Sequence, residues 1–366
     1  MSDVHVSRRT RLRERCAAHG SAARAVLVTR QANVRYLTGA AGEDHVLLLG
    51  PDGRDTLLGT GGAEQAGDPA LRVVPPGDEG PDPAVAGAGL AARTGADTLA
   101  VEEHDLTVAR HRALAAAAPG LRFADLGHAV EQLRLVKDEE EIAALRIAAE
   151  ITDQALGELL ESILVGRTER HLALELERRL IDHGAEGPAF PTSVAGGEHA
   201  GIAGHVPTDR RVEEGDFLAV ALGACYRGYR CRIGRTFVIG TAPADWQIEL
   251  YELVFAAQRA GREALVPGAA CRDVDRAARQ VLAAAGHTEE AAPWTGRGVG
   301  LEIGEEPRLA PDAMGKLDAC VPVTVEPGVH LPGRGGVRID DTLVVRPQAD
   351  GGPELLTITT KELLAL

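Results

Sequence analysis

The spacing of apolar residues divides the chain into two regimes. From Ala129 to Leu164 apolar positions recur every three or four residues: Ile142, Leu145, Ile147, Ala148, Ile151, Leu156, Leu159 and Leu160. That period predicts a long helix. Its Glu139-Glu140-Glu141 run reads as a solvated first turn at the positive end of the helix. A second helix is predicted over 168–183, and two more over 244–264 and 272–285. Between them, VEEGDFLAVALGACYRGYRCRIGRTFVIG (212–240) predicts a pair of strands around a Gly-containing turn, and further strands are predicted at 321–325, 336–346 and 353–359.

Upstream the pattern is shorter and alternates. Residues 7–19 predict an opening helix, and AVLVTR (25–30) and HVLLLG (45–50) predict strands. Pro51-Asp52-Gly53 is turn chemistry, so 45–60 predicts a hairpin. Residues 61–96 are rich in Gly, Pro, Asp and Ala, with PPGDEGPDP (75–83) the clearest loop. DTLAVEE (97–103) predicts a strand, and TVARHRALAAAAPG (107–120) a helix ended by Pro119-Gly120. Alternating strands and helices point to an α/β domain. The change of regime falls within 125–135, which gives domains 1–130 and 131–366.

A length of 366 residues agrees with two cores rather than one. Apolar residues make up 45% and aromatics only 3%, so those cores are built mainly from Ala, Val and Leu. The net charge of −15 argues against nucleic acid and anionic membranes as partners, and no Lys/Arg block forms a phosphate-binding stripe. The five cysteines are scattered with no C-x-x-C pair, so they read as small buried hydrophobes in a reducing compartment. MSDVHVSRRTRLRERC carries no apolar stretch of the secretory kind, and no run reaches the ~18 apolar residues of a membrane span. A cytoplasmic location is expected.

Four segments occur in a telling order: RLVKDEEEIAALRIAAEITDQAL; PAFPTSVAGGEHAGIAGHVPTDRR with the strands that follow it; GRGVGLEIGEEP; and VTVEPGVHLPGRGGVRIDDTLVV. Together they resemble the family of methionine aminopeptidase, aminopeptidase P, prolidase and creatinase. NVRYLTG (33–39) resembles the N-terminal domain of its longer members. The resemblance implies an α+β protein: a C-terminal pita-bread domain with its site in the concave face of a curved antiparallel sheet, and a smaller α/β creatinase-type N-terminal domain. It also implies a homodimer.

In the two-metal members of that family the ligands are two Asp, one His and two Glu. The resemblance puts the first Asp at Ala221, in Ala221-Leu222-Gly223-Ala224, and the second at Arg232, three residues before the Arg of Arg235-Thr236-Phe237. The His falls at Arg297, between Gly296 and Gly298. Glu326 is retained, and Asp340, after Arg338-Ile339, keeps the charge of the second Glu. A guanidinium keeps its proton and offers no lone pair to a metal. The charges of Arg232 and Arg297 cancel those of Glu326 and Asp340, so a dinuclear site is expected to be absent, with no metal or other cofactor. A second family His, before the Glu, corresponds to Gly304. The creatinase-type Glu before the Arg of R-T-F corresponds to Gly234, which argues against creatinase's own chemistry. His205, Tyr229 and Arg338 match the family pattern.

Three functions follow as expectations. The first is a metal-independent enzyme with His205 and Glu326 as acid/base pair. Arg232 and Arg297, with Tyr229, Arg338 and Asp340, would grip a small anionic substrate undergoing cleavage at a C–N or similar bond. The second is a catalytically inactive binding protein in which the arginines pair with Glu326 and Asp340 and fill the old cavity. The third is an Xaa-Pro peptidase with a mononuclear site that recruits His199, His205 or His330.

Overall fold

The computed structural model describes all residues except 1, 19–22, 43, 60–69, 75–81 and 163. The chain forms two compact units, Met1–Arg134 and Leu135–Leu366. The division thus falls a few residues beyond 130/131.

The first unit runs α1 (Ser2–Ala18), β1 (Ala25–Val28), α2 (Gln31–Thr38), β2 (Val46–Leu49), β3 (Asp55–Leu58), β4 (Leu71–Val74), α3 (Pro83–Arg93), β5 (Thr98–Val101), α4 (Val108–Ala117), β6 (Arg122–Asp125) and α5 (Ala129–Arg134). Its sheet has the order β4-β3-β2-β1-β5-β6. β1 is antiparallel to β2 and parallel to β5. The predicted hairpin is β2–β3, with Leu48 opposite Thr56.

One sequence expectation changes here. Most of the loop read at 75–83 lies outside the described residues, but its end starts a helix. Asp82 accepts the Ala84 N–H as N-cap of α3 and Pro83 occupies the first turn. The small residues of α3 serve close packing: a Cβ on Gly87 would lie 2.7 Å from Leu27 Cδ1 on β1. The segment 33–39 belongs to α2, which ends on Gly39 in the left-handed conformation at φ 74°.

The second unit begins with α6 (Glu139–Leu160) and α7 (Glu169–Asp182). Strands β7 (Gly187–Pro188), β8 (Ser193–Gly196), β9 (Phe217–Leu222), β10 (Ala224–Tyr226), β11 (Tyr229–Arg230) and β12 (Ile233–Val238) follow. After α8 (Asp245–Glu263) and α9 (Cys271–Ala284) come β13 (Gly296–Val299), β14 (Ile303–Leu309), β15 (Pro322–Val325), β16 (Gly328–Leu331), β17 (Gly335–Arg338), β18 (Asp341–Val344) and β19 (Glu354–Leu355). Two antiparallel sheets dominate, β12-β9-β8 and β14-β13-β15-β18-β19. Backbone hydrogen bonds between Gly234 and Asp340 link them.

Period-two alternation decides what faces the site. On β9, Leu218, Val220 and Leu222 pack into the core formed with Leu145, Leu156, Leu172 and Leu176 of α6 and α7. Phe217 and Ala219 point the other way, as does Ala221. On β15, Val323 and Val325 join the core that holds Leu265 and Val274, which leaves Thr324 and Glu326 on the opposite face.

The helix read as continuous from Ala129 to Leu164 is broken at Leu135–Asp138. Asp138 accepts the Glu141 N–H at 2.9 Å, and Glu141 accepts the Asp138 N–H at 3.0 Å, a reciprocal cap that starts α6 afresh. The acidic run is therefore only partly solvated: Glu139 and Glu140 are exposed, while Glu141 is buried. Among the described residues no helix is long and apolar enough to cross a membrane, and all five cysteines are free thiols. Asp138→Ala removes the cap acceptor and is expected to lower the unfolding free energy by about 1 kcal/mol in urea titrations.

Candidate active site

Ala221, Arg232, Arg297, Glu326 and Asp340 occupy neighbouring strand ends of the second unit. Ala221 sits on β9 opposite Gly234 of β12. Arg232 immediately precedes β12, and Arg297 sits on β13 opposite Thr324. Glu326 follows β15, and Asp340 precedes β18.

Glu326 and Asp340 have no solvent exposure. Arg232 Nε donates to Asp340 Oδ2 at 2.8 Å and lies 3.2 Å from Glu326 Oε2. Arg297 Nε donates to Glu326 Oε1 at 3.1 Å, and the Thr324 hydroxyl reaches the same oxygen at 3.0 Å. A third guanidinium completes the group. Arg338 Nε donates to both oxygens of Asp340, at 2.7 and 2.8 Å, and its Nη2 donates to Glu326 Oε2. Three cations therefore meet two anions, a net charge of +1 where the five matched positions alone sum to zero. Burial alone would raise the Glu326 pKa, but Arg232, Arg338 and Arg297 hold it well below the usual carboxylate range. Burial and the neighbouring Arg338 pull the Arg232 pKa down, whereas Asp340 and Glu326 outweigh burial at Arg338 and push it up.

Two glycines make room for this arrangement. A Cβ at Gly234 would lie 2.5 Å from Asp340 Cγ. Gly304 has φ 86°, and a Cβ there would press on Arg297 Nη1 at 3.3 Å. The guanidinium faces also have partners: Arg232 stacks over Phe190 at 4.6 Å and Arg297 lies 5.6 Å from the Trp294 ring centre.

As donors for a pair of divalent cations these residues do not fit. Ala221 has no ligand atom, the arginines have no lone pair, and all four carboxylate oxygens accept from N–H or O–H groups. The hydrogen bonds also leave a surplus of donors. Neither terminal amino group of Arg232 or Arg297 donates to protein among the described residues, and Arg338 Nη1 is in the same position.

A cavity of about 310 Å³ adjoins the cluster, and Arg232 and Arg338 form part of its wall with Ala221, His205, His330 and Phe190. Arg297 is not in that wall, and neither is Tyr229. Tyr229 points into the α6 side instead, its hydroxyl donating to Glu141 Oε1 at 3.0 Å. It therefore does not join the substrate-binding group expected from sequence.

His205 does line the cavity, but its partner is not Glu326. Its Nε2 lies 2.9 Å from Glu169 Oε2, and His199 Nδ1 lies 2.9 Å from Glu169 Oε1. The two imidazole rings sit 4.4 Å apart. Glu169 opens α7 and is fully buried. It also accepts the Gly196 N–H, the Thr208 N–H and the Thr208 hydroxyl. Burial would raise its pKa, but the hydrogen bonds from Gly196, His205 and Thr208 bring it down to about 2. An ionised carboxylate only accepts, so each histidine presents its N–H to Glu169. In a neutral His205 ring the lone pair is then on Nδ1. Since Glu169 is saturated by five donors, a cation at this trio would have to break several of them. Nothing in sequence marked Glu169, because an acid in a first helical turn is ordinary. His330 also borders the cavity, donating from Nδ1 to the Ala200 carbonyl at 3.2 Å; burial lowers its pKa and keeps it neutral.

A capped helical layer over linked antiparallel sheets, with the candidate site between strand ends, defines a pita-bread domain preceded by an α/β domain. Residues 143–347 match metallopeptidase family M24 and residues 8–136 match the creatinase/prolidase N-terminal domain, and the chain belongs to that family. It is 37% identical over 242 residues to an Xaa-Pro dipeptidase of Pyrococcus furiosus, covering 66% of this chain and 68% of that one. It is 32% identical to the uncharacterized peptidase YqhT of Bacillus subtilis, covering 93% and 95% of the two chains. The structure of an Xaa-Pro dipeptidase from Bacillus anthracis superposes with a TM-score of 0.91 at 31% identity, covering 99% of this chain and 100% of that one.

Two measurements probe the buried charges. Glu326→Gln leaves three guanidiniums facing one carboxylate and is expected to cost about 3–5 kcal/mol in urea unfolding. For Glu169 the folded pKa lies below its ordinary value, so its stabilisation is present above pH 4.5 and is lost as pH falls toward about 2. Glu169→Gln should therefore be less stable than the parent at pH 7, with the difference shrinking through that window.

Proposed function

We propose that this family member is a metal-independent enzyme acting on a small carboxylate-bearing substrate at a C–N or similar bond. The observation that carries this reading is the pair of uncommitted Arg232 amino groups in the wall of a cavity that also holds His205. A substrate carboxylate can accept both in bidentate fashion, aided by the net positive charge of the cluster. Arg338 adds a further donor, and Arg297 supports the anion site from behind by occupying Glu326. Ala195, Ala200, Ala219, Ala221 and Val337 offer apolar wall for the body of the molecule. Relatives are named for Xaa-Pro dipeptides, which carry both a terminal carboxylate and a scissile C–N bond, so compounds of that size and charge are the first substrates to try.

His205 serves as the proton-transfer group, with Nδ1 as base and Glu169 holding the ring by Nε2. For hydrolysis, water gives its hydroxyl to the carbonyl carbon as Nδ1 takes the proton. The C–N bond then breaks, and the same proton passes to the leaving nitrogen. Glu326 stays ionised beneath its arginines and contributes charge rather than protons.

A second reading, a binding protein without turnover, is favoured by one observation: Arg232 and Arg297 are both tied to the remaining acids. The test is a panel of Xaa-Pro dipeptides, N-acyl prolines and N-carbamoyl amino acids assayed in EDTA. Turnover that falls about 10²–10⁴-fold in His205→Ala supports the enzyme. Saturable binding of these acids without turnover, weakened by Arg232→Met, supports the binding protein. Turnover that requires added manganese, cobalt or zinc overturns both.

A further inference from the structure

The first unit carries a histidine cluster that the chemistry above does not use. We infer that His104, His128 and Glu131 form a binding site for one divalent cation of the zinc class. His104 follows β5, and His128 and Glu131 follow β6. The three thus gather at the carboxyl ends of parallel strands β1, β5 and β6, the edge at which open α/β sheets place ligands. One ligand atom from each lies within 4.8 Å of the other two. His104 Nε2 is already 2.9 Å from Glu131 Oε1, close to the ~3.3 Å edge of a tetrahedron with zinc bonds of about 2.0–2.1 Å. The His104 and His128 ring centres are 4.3 Å apart, so small side-chain rotations bring the third ligand in.

The carboxylate distinguishes this trio from the one around Glu169. There, every oxygen is saturated by donors. Here Glu131 Oε2 is buried and accepts no hydrogen bond among the described residues. Its Oε1 is oriented by Asn33 Nδ2 at 2.9 Å, and Asn33 in turn reaches the buried Glu102 at 2.6 Å, the outer support that metal-ligating carboxylates need. Asp105 Oδ2 accepts from the Thr29 hydroxyl nearby, and the buried Glu102, whose pKa burial raises, accepts the Thr29 and Arg30 N–H groups. Arg30 opposes a cation, but its Nη1 stands 3.7 Å from Glu131 Oε1 and its side chain is a third exposed. Two imidazoles and one carboxylate suit zinc, cobalt or nickel better than magnesium or calcium. The exposure of both histidines leaves a fourth position for water. Bound there, the ion would fasten the turn after β5 to the start of α5.

The test is calorimetric titration of the chelator-treated full chain with zinc chloride, beside His104→Ala, His128→Ala and His199→Ala. His128 makes no side-chain hydrogen bond among the described residues, so that variant retains its fold. One zinc per chain is expected at the first-unit site, weakened at least about tenfold in both first-unit variants and retained in His199→Ala. Saturating zinc should raise the thermal midpoint of the parent by about 5 °C and leave that of His104→Ala unmoved. No saturable binding, binding unchanged in His104→Ala and His128→Ala, or binding lost only in His199→Ala would overturn the site. The result is independent of turnover, which is measured in EDTA.

Discussion

Glu326 has no contact with solvent, and its carboxylate lies where the ends of four strand segments converge. A bare acid in that position would be costly to bury, and a second one beside it at Asp340 more so. Arg232 arrives from the β9–β12 sheet, Arg297 from β13 and Arg338 from β17. Each reaches at least one of the two carboxylates, so the sheets are cross-linked by cations that belong to the chain itself. The positions of Gly234 and Gly304 follow from this, since side chains there would compete for the space the guanidiniums and Asp340 occupy.

The geometry also separates His205 from Glu326, the two residues that sequence had paired as acid and base. Glu326 and Asp340 fix charge, because the arginines hold the Glu326 proton off at any pH near neutrality. The imidazoles are held apart from that cluster: Glu169 orients His205 through Nε2, and His330 stands neutral on the cavity wall. Guanidinium groups with unused donors and an imidazole thus border the same cavity, each held by a different carboxylate.

Much of the fold was legible in sequence. The three- and four-residue spacing from Ile142 to Leu160 marks α6, and alternation marks β9 and β12, because both report burial on one face. Ala221, Arg232 and Arg297 could be placed near Glu326 and Asp340 because ordered motifs flank them, and the structure brings Arg232 and Arg297 onto those two acids. What was missed depended on contacts across the fold. Pro83-Ala84 and its neighbours look like loop until Leu27 is seen to need a glycine beside it. Asp138 looks like one more charge in an acidic run until its reciprocal hydrogen bonds break the helix. Tyr229 matches a family pattern, yet its hydroxyl is taken by Glu141. Glu169 could not be singled out at all, because its role is made by Gly196, His199, His205 and Thr208, residues distant from it in the chain.

That last carboxylate has a mechanical consequence. Gly196, His199, His205 and Thr208 all lie on one stretch of chain that runs along the cavity, and every one of them is fastened to the first residue of α7. The stretch is therefore hung from a single point. If α7 shifts along its axis, both imidazoles and the wall beside them travel together, so the distance from His205 to Arg232 is set by the seating of one helix end.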